Sequence, residues 1–385
     1  MRKFYLFILY FVVTFLCFES CKQCTKTQSE DSKMYNLGLG WNLGNSLDCY
    51  TDTIADETSW GNKPVTKSLI DSVKTCGFQS IRIPVTWKNH LSMPDCMIDP
   101  QWMNRVAEVV SWCEQAGLKV IINLHHDGAD SKFWLNIKQA SASEEADSVI
   151  KHQIETVWNQ IATRFKDCGD FLVFEGFNEI HDGGWGWGAN RSDFGKQYQI
   201  LNSWNQLFVN TVRATGGCNS SRWLGIPGYV TNPELTMQYL ELPKDTVNKL
   251  MVAVHFYDPF DYTLLNKFTQ WGKDADPKKC AKHGDENSMD SLFFKLNEKY
   301  VKNNIPVYIG EFGCVHRDNS EDEKFRIYYL STLCKTAKKY NLSALYWDNG
   351  YSGAGEEQSG LFDRSTGEFF NNSREVVKAM IESYN

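Results

Sequence analysis

The apolar positions of this chain gather into short continuous runs separated by amphipathic stretches, and two of the runs end on a glutamate. Phe171–Glu179 reads FLVFEGFNE, with six of its first seven residues apolar or glycine. A run without alternation fits a strand covered on both faces, as in a parallel sheet. Ile305–Gly313 (IPVYIGEFG) repeats the arrangement around Glu311. A carboxylate at the mouth of a buried strand is costly unless it has a partner or does chemistry. Glu179 and Glu311 therefore read as two halves of one site.

Similar runs recur about every 35 to 50 residues, and eight candidate strands emerge: 36–43, 78–85, 118–125, 171–178, 222–229, 250–257, 305–311 and 342–348. Between them lie helical stripes. Trp102–Ala116 places apolar residues at 102, 106, 109, 113 and 116, and 150–165 does so at 150, 154, 157, 161 and 165. Phe325, Tyr329, Leu333 and Ala337 share one face, and 377–384 closes the chain. This is the 3.6-residue period of half-buried helices. Gly77, Gly117 and Gly169 stand just before strands, where helix ends want glycine. Eight strands alternating with helices predict an α/β fold, a single (β/α)8 TIM barrel. Such a barrel usually takes about 250 residues, so the surplus goes into enlarged βα loops. A doubly wound open sheet is the alternative, but Gly38-Leu39-Gly40 lacks the third glycine of its fingerprint, with Leu43 there instead.

In such a barrel, chemistry sits at the carboxyl ends of the strands. The second candidate strand carries Arg82, the third ends in His125-His126-Asp127, and the fourth in Asn178-Glu179. The sixth ends in His255-Phe256-Tyr257, the seventh in Glu311 and the eighth in Trp347-Asp348-Asn349. Their coincidence on one rim, more than any one of them, points to an active site. Two carboxyls with polar neighbours suit glycoside hydrolysis, one protonated to donate and one ionised to attack or assist. Competing chemistries fit worse. Gly350-Tyr351-Ser352-Gly353-Ala354 fails the nucleophile-elbow pattern at its last position, and HExxH is absent. His125 and His126, as adjacent strand residues, should point to opposite faces, so no metal site is expected.

Glu175 shares strand parity with Glu179 and should face inward one layer below the rim, where a buried structural ion pair is the favoured reading. The loop His181–Arg191 (HDGGWGWGANR) follows Glu179, and its Trp185 and Trp187 are candidates to stack on pyranose faces. The alternative is that one of them packs the loop onto the barrel. Trp87 and Trp134 are similar candidates.

Composition narrows the partners. Aromatic residues make up 14% of the chain with 13 Trp, which suits large cores or carbohydrate platforms. A net charge of −7 argues against a nucleic-acid partner. Arg2-Lys3 followed by an apolar run to Phe18 predicts a signal peptide over 1–20. A polar tether over 21–34 follows, with Cys21 at a lipoprotein-like position, although Phe18 and Glu19 match the usual lipobox poorly. The barrel then occupies 35–385. The chain is expected to be secreted or tethered at the cell surface. Twelve cysteines show no zinc spacing in the body of the chain, and no disulfide framework is expected.

From about Tyr35 to Tyr384 the sequence resembles glycoside hydrolase family 5, the cellulase-type retaining barrel, and its subfamily 4 in particular. The landmarks are GWNLGNSLD at Gly40–Asp48, IRIPVTW at Ile81–Trp87, INLHHDG at Ile122–Gly128 and FEGFNE at Phe174–Glu179. VHFY at Val254–Tyr257, IGEFG at Ile309–Gly313, YWDNG at Tyr346–Gly350 and GLFDR at Gly360–Arg364 complete them in the family's order. The resemblance implies Glu179 as acid/base and Glu311 as nucleophile. It implies Asn178 at the sugar 2-hydroxyl, Tyr257 and Arg82 on the nucleophile, His255 beside the acid/base, and His125 and Trp347 at the cleavage point. His126, Asn45 and Trp187 join the expected substrate-binding set. Ile180 departs from the family's usual proline, and VHFYDP and YWDNG replace commoner spellings. The expected activity is a retaining endo-β-1,4-glucanase, without cofactor or metal and as a monomer, acting on cellulose, xyloglucan or mixed-linkage glucan. An endoxyloglucanase, mixed-linkage glucanase or xylanase is the alternative within the class. A surface glycan-binding protein without catalysis is the alternative outside it, and the presence of both carboxylates speaks against it.

Overall fold

The buried runs pair side by side in parallel and close on themselves. In the computed structural model, which describes residues 34–385, eight strands form a closed barrel. They are β1 (Leu39–Leu43), β2 (Ser80–Ile83), β3 (Lys119–Asn123), β4 (Leu172–Glu175), β5 (Leu224–Pro227), β6 (Leu250–Phe256), β7 (Val307–Phe312) and β8 (Ser343–Asp348). Each pairs with its sequence neighbour, and β8 returns to β1 from Leu39↔Ala344 to Leu43↔Asp348. A helix follows each strand: α1 (Lys67–Thr75), α2 (Pro100–Gln115), α3 (Glu144–Arg164), α4 (Lys196–Ala214), α5 (Pro233–Tyr239), α6 (Glu286–Lys299), α7 (Ser320–Lys339) and α8 (Ser373–Tyr384). Side-chain caps start most of them; Thr66, Asp99, Ser143, Asn232, Asp285 and Asn319 each accept from a first-turn N–H.

The fold matches the predicted (β/α)8 barrel, with shorter strands than the apolar runs suggested. Residues 1–33, on which the signal peptide, most of the tether and Cys21 fall, lie outside the described residues. Cys218 is disulfide-bonded and the other eight described cysteines are free, so the expectation about disulfides fails at that one position.

Two apolar layers follow from strand alternation. One side of the strands packs with the helices into the main core, including Trp41, Phe174, Trp158 and Phe208. The other side fills the barrel interior with Ile121, Val173, Met251, Ala253, Tyr308 and Leu345. Above that plug, toward the strand ends, the interior turns polar, with Asn42, Arg82, Asn123 and Glu175 all buried.

Two departures from regular strand geometry aim the glutamates. Tyr308 faces the barrel interior, so strict alternation would turn Glu311 outward. The β6–β7 register instead jumps from Val254↔Ile309 to His255↔Glu311, and the β8–β7 register skips in the same place. Gly310 is thus an extra residue in a bulge, which returns Glu311 to the interior. In β4 the expected strand to Asn178 stops at Glu175, and the irregular segment beyond it lets both Asn178 and Glu179 face the same cavity.

The junction of β7 and α7 makes the fold sensitive to acid. Buried His316 sits 2.7 Å from Gly360 O through Nε2 and 3.1 Å from Arg326 Nη1 through Nδ1. Burial, then the Arg326 guanidinium, push its pKa down from 6.5 to about 4. The folded imidazole takes a proton less readily than the unfolded one. Its contribution is therefore present above pH 6.5 and lost as pH falls toward 4, by up to roughly 3 kcal/mol. Denaturant midpoints should drop across that window, and His316→Gln should flatten the drop. Equal pH slopes for both proteins would refute this assignment.

Candidate active site

The site is built on Arg82, a guanidinium with no exposed surface. Its five N–H donors all meet oxygen. Nε and Nη2 donate to Glu175, Nη2 at 2.7 Å; Nη1 donates to Asn42 Oδ1 at 3.0 Å and Glu311 Oε1 at 2.7 Å; Nη2 also donates to Asn178 Oδ1 at 2.7 Å. Glu175 also accepts from Tyr308 Oη at 2.6 Å and Asn123 Nδ2 at 2.9 Å. Burial works to raise the Glu175 pKa, but Arg82 outweighs it and holds the carboxyl below its ordinary value. Gly225 makes room for this contact, since a Cβ there would lie 2.2 Å from Tyr308 Oη. The structural ion pair expected at Glu175 is therefore present.

This network fixes the polarity of the groups above it. Asn178 presents its oxygen to Arg82, which leaves its amide N–H donors toward the cleft. Asn123 accepts from Val85 N, so its Nδ2 faces Glu175 and His125 Nδ1. His125 Nδ1 is consequently an acceptor, and Nε2–H points toward Glu311, 4.0 Å away. Burial first, then the neighbouring His126 and Arg82, keep this imidazole well below its ordinary pKa and neutral.

Glu311 receives Arg82 on Oε1 and Tyr257 Oη on Oε2 at 3.0 Å. Burial and the adjacent carboxylate push the Tyr257 phenol well above its usual range, so it remains a donor. Across the cavity, Glu179 Oε1 lies 2.6 Å from His255 Nδ1 and 3.4 Å from Thr231 Oγ1. Burial works to raise the Glu179 pKa, but the imidazole beside it prevails and lowers it. Carboxylate oxygens of Glu179 and Glu311 and a nitrogen of His255 all lie within 4.8 Å of one another.

Above this floor opens a cleft of about 610 Å³. Of the residues singled out in the sequence, Asn45, His125, His126, Asn178, Glu179, Tyr257, Glu311 and Trp347 line it. Arg82 and His255 lie beneath. Trp187 is not brought in. Gly186, with φ of 84°, turns the chain between the two tryptophans, so Trp185 lines the cleft while Trp187 is 79% exposed under Arg191. Trp87 is buried and donates to Asn123 O, and half-buried Trp134 donates to Asp127; neither lines the cleft. Lining residues passed over in the sequence include Tyr50, Trp60, Phe260, Tyr351 and Glu357. All come from the enlarged loops; the aromatic pair at 50 and 60 was the available signal.

The expectation that His125 and His126 face apart also fails. β3 ends at Asn123, and the two rings beyond it meet at 4.4 Å. With Asp48 they form a grouping of possible metal ligands. Asn123 Nδ2 lies 3.1 Å from His125 Nδ1, which takes that nitrogen out of any such set.

Residues 47–353 match the family described as Cellulase (glycosyl hydrolase family 5). The chain belongs to glycosyl hydrolase family 5. It is 36% identical over 368 residues to Endoglucanase A of Paenibacillus barcinonensis, covering 90% of this chain and 88% of that one. It is 35% identical over 349 residues to a xyloglucan-specific endo-beta-1,4-glucanase of Bacteroides ovatus, covering 86% of this chain and 66% of that one. Among solved structures, a GH5-4 broad specificity endoglucanase from Bacteroides salanitronis is 50% identical with a TM-score of 0.89, covering 93% and 99% of the two chains. This family 5 chain is therefore a glycoside hydrolase, most like the subfamily 4 endoglucanases.

Glu175→Gln tests the network without touching the cleft. It preserves shape but leaves Arg82 short of one buried charge, which costs about 3–5 kcal/mol in comparable pairs. The denaturant midpoint should fall accordingly, and kcat should fall with it as Asn178 and Glu311 lose their fixed partner. An unchanged midpoint would remove Glu175 from this role.

Proposed function

We propose that the chain is a retaining endo-β-1,4-glucanase in which Glu179 is the acid/base and Glu311 the nucleophile. The observation that carries the proposal is the approach of their carboxylate oxygens to within 4.8 Å. Retaining enzymes hold the two carboxyl groups about 5–5.5 Å apart, and inverting ones about 6.5–9.5 Å, leaving room for a water. Arg82 and Tyr257 hold and aim the Glu311 carboxylate toward the anomeric carbon that it attacks. Glu179, 2.6 Å from His255 Nδ1, protonates the leaving oxygen, then accepts a proton from the water that releases the sugar. The N–H donors of Asn178 and His125 face the sugar bound at Glu311.

Endo action is supported by walls on both sides of the glutamate pair. Tyr50, Trp60 and Tyr351 stand on loops after β1 and β8, and Trp185 and Phe260 on loops after β4 and β6. The substrate class rests on the relatives, whose names span endoglucanase and xyloglucan-specific activity. Cellulose-type, mixed-linkage and xyloglucan backbones all belong to it. Rates compared on carboxymethylcellulose, barley β-glucan, xyloglucan, xylan and mannan should be high on the first three and negligible on mannan. The reading of 1–20 as an export signal and of Cys21 as a lipid attachment point supports a tethered enzyme. Cys21→Ala should then move the protein from the detergent phase to the aqueous one, and an aqueous wild-type product would leave plain secretion.

The two roles separate on an activated aryl cellobioside. Glu179→Ala should lose about 10²–10⁴-fold on glucan, yet still form the glycosyl-enzyme from a substrate that hardly needs protonation. Added azide should then give a β-glycosyl azide. Glu311→Ala should form no intermediate, and any azide product should be α. The reverse pattern would exchange the two assignments.

A further inference from the structure

The loop that carries Trp185 into the cleft also builds a second cavity on its far side. This cavity, of about 410 Å³, is lined by Asn190, Arg191, Phe194, Tyr198, Gln238 and Tyr239 among others, and shares no residue with the cleft. Nothing in the hydrolytic mechanism uses it. Asn190 is 1% exposed; its Nδ2 donates to Tyr198 Oη at 2.6 Å, while its Oδ1 has no partner. A buried amide oxygen without a donor carries a desolvation penalty unless a ligand or water supplies one.

The remaining lining has matching chemistry. Arg191 is anchored by Nε to Gly186 O at 2.6 Å and packs on the Trp187 ring at 4.2 Å, linking the cavity wall to the tryptophan that the cleft leaves out. Phe194 stands at the rim 100% exposed, held at a φ of 57°. Tyr239 stacks on Tyr198 with ring centroids 4.1 Å apart, presenting its other face. An unpartnered acceptor, a guanidinium, an amide and exposed aromatic faces are what a neutral polyhydroxylated ring needs: hydroxyls to bond and an apolar CH face to cover. A protein partner would ask for a broader apolar patch.

We propose that this cavity is a second, non-catalytic binding site for the β-glucan chain, on the leaving-group side of the barrel. The inference rests on the β-glucan reading of the catalytic cleft. Asn190 Oδ1 accepts from a sugar hydroxyl, Gln238 and Arg191 bond its neighbours, and Phe194 covers the ring. A polymer long enough to leave the cleft past Trp185 and wrap the loop is held at both places, which raises its effective concentration at the cleft.

The test compares a polymer with a substrate too short to span both sites. Native gels containing barley β-glucan or xyloglucan report retention, with Glu311→Gln as background so that the gel is not digested. Phe194→Ala and, separately, Gln238→Ala should weaken retention about tenfold. In the active enzyme they should raise KM on the polymer and leave aryl cellobioside hydrolysis unchanged. Unchanged retention in both variants would overturn the second site. Loss of cellobioside hydrolysis along with retention would assign these residues to the cleft and overturn it as well. Failure of the active enzyme to cleave any β-glucan would instead reject the function on which the ligand class rests, and retention without cleavage would tell the two apart.

Discussion

A cation buried inside a barrel is the constraint on which the site depends. Arg82 has no exposed surface, and taking a guanidinium out of water costs several kcal/mol unless every donor is met. The strands meet it from all around: Asn42 on β1, Glu175 on β4, Asn178 just beyond β4 and Glu311 on β7. Because all five donors are engaged, none of those oxygens can rotate away without leaving a buried N–H unpaired. Rigidity at the cleft floor is therefore a consequence of satisfying one charge. That charge also explains the two carboxylates with different lives. Glu175 neutralises Arg82 from below, which leaves Glu311 held by the same guanidinium but still open to the cleft.

Local irregularity completes the geometry. A perfect β7 would turn Glu311 into the helix layer, because Tyr308 already takes the inward parity. The Gly310 bulge inserts one residue and reverses the parity, and Asn42 Nδ2 ties the Gly310 carbonyl at 2.8 Å so that the bulge is held. A Cβ at 310 would stand 3.0 Å from His255 Nε2, tight against the imidazole that serves Glu179. One glycine thus lets nucleophile and acid/base neighbour share a small space.

This is also where the sequence was and was not legible. The eight strands were readable because buried parallel strands carry continuous apolar runs, and Glu179 and Glu311 stood out because each stands at the end of such a run. Glu175 was readable by parity, since β4 is regular up to that residue. Asn178 and the two histidines after β3 were not, because parity arguments fail once a strand ends, and the strands end at Glu175 and Asn123. The bulge left no mark beyond a glycine among many. Trp185 and Trp187 could not be told apart from spelling alone; the turn at Gly186 sends one into the cleft and the other over Arg191. Tyr50 and Trp60, in a long loop without periodicity, gave no signal of which way they face.

The division between what was read and what was missed follows a division of labour in the molecule. The floor is specified by strand residues whose burial and charge leave little freedom, so a single sequence suffices to find them. The walls come from loops after β1, β4, β6 and β8, where the same composition can be arranged in many ways. Tyr50 packs against Trp60, His126 and Phe133 at centroid distances of 5.1 to 5.3 Å, which joins the first-loop wall to the end of β3. Trp185, by contrast, leans on His181 at 4.1 Å from a glycine-rich segment and is 55% exposed. The first-loop wall is thus tied to the barrel by several rings and Trp185 by one.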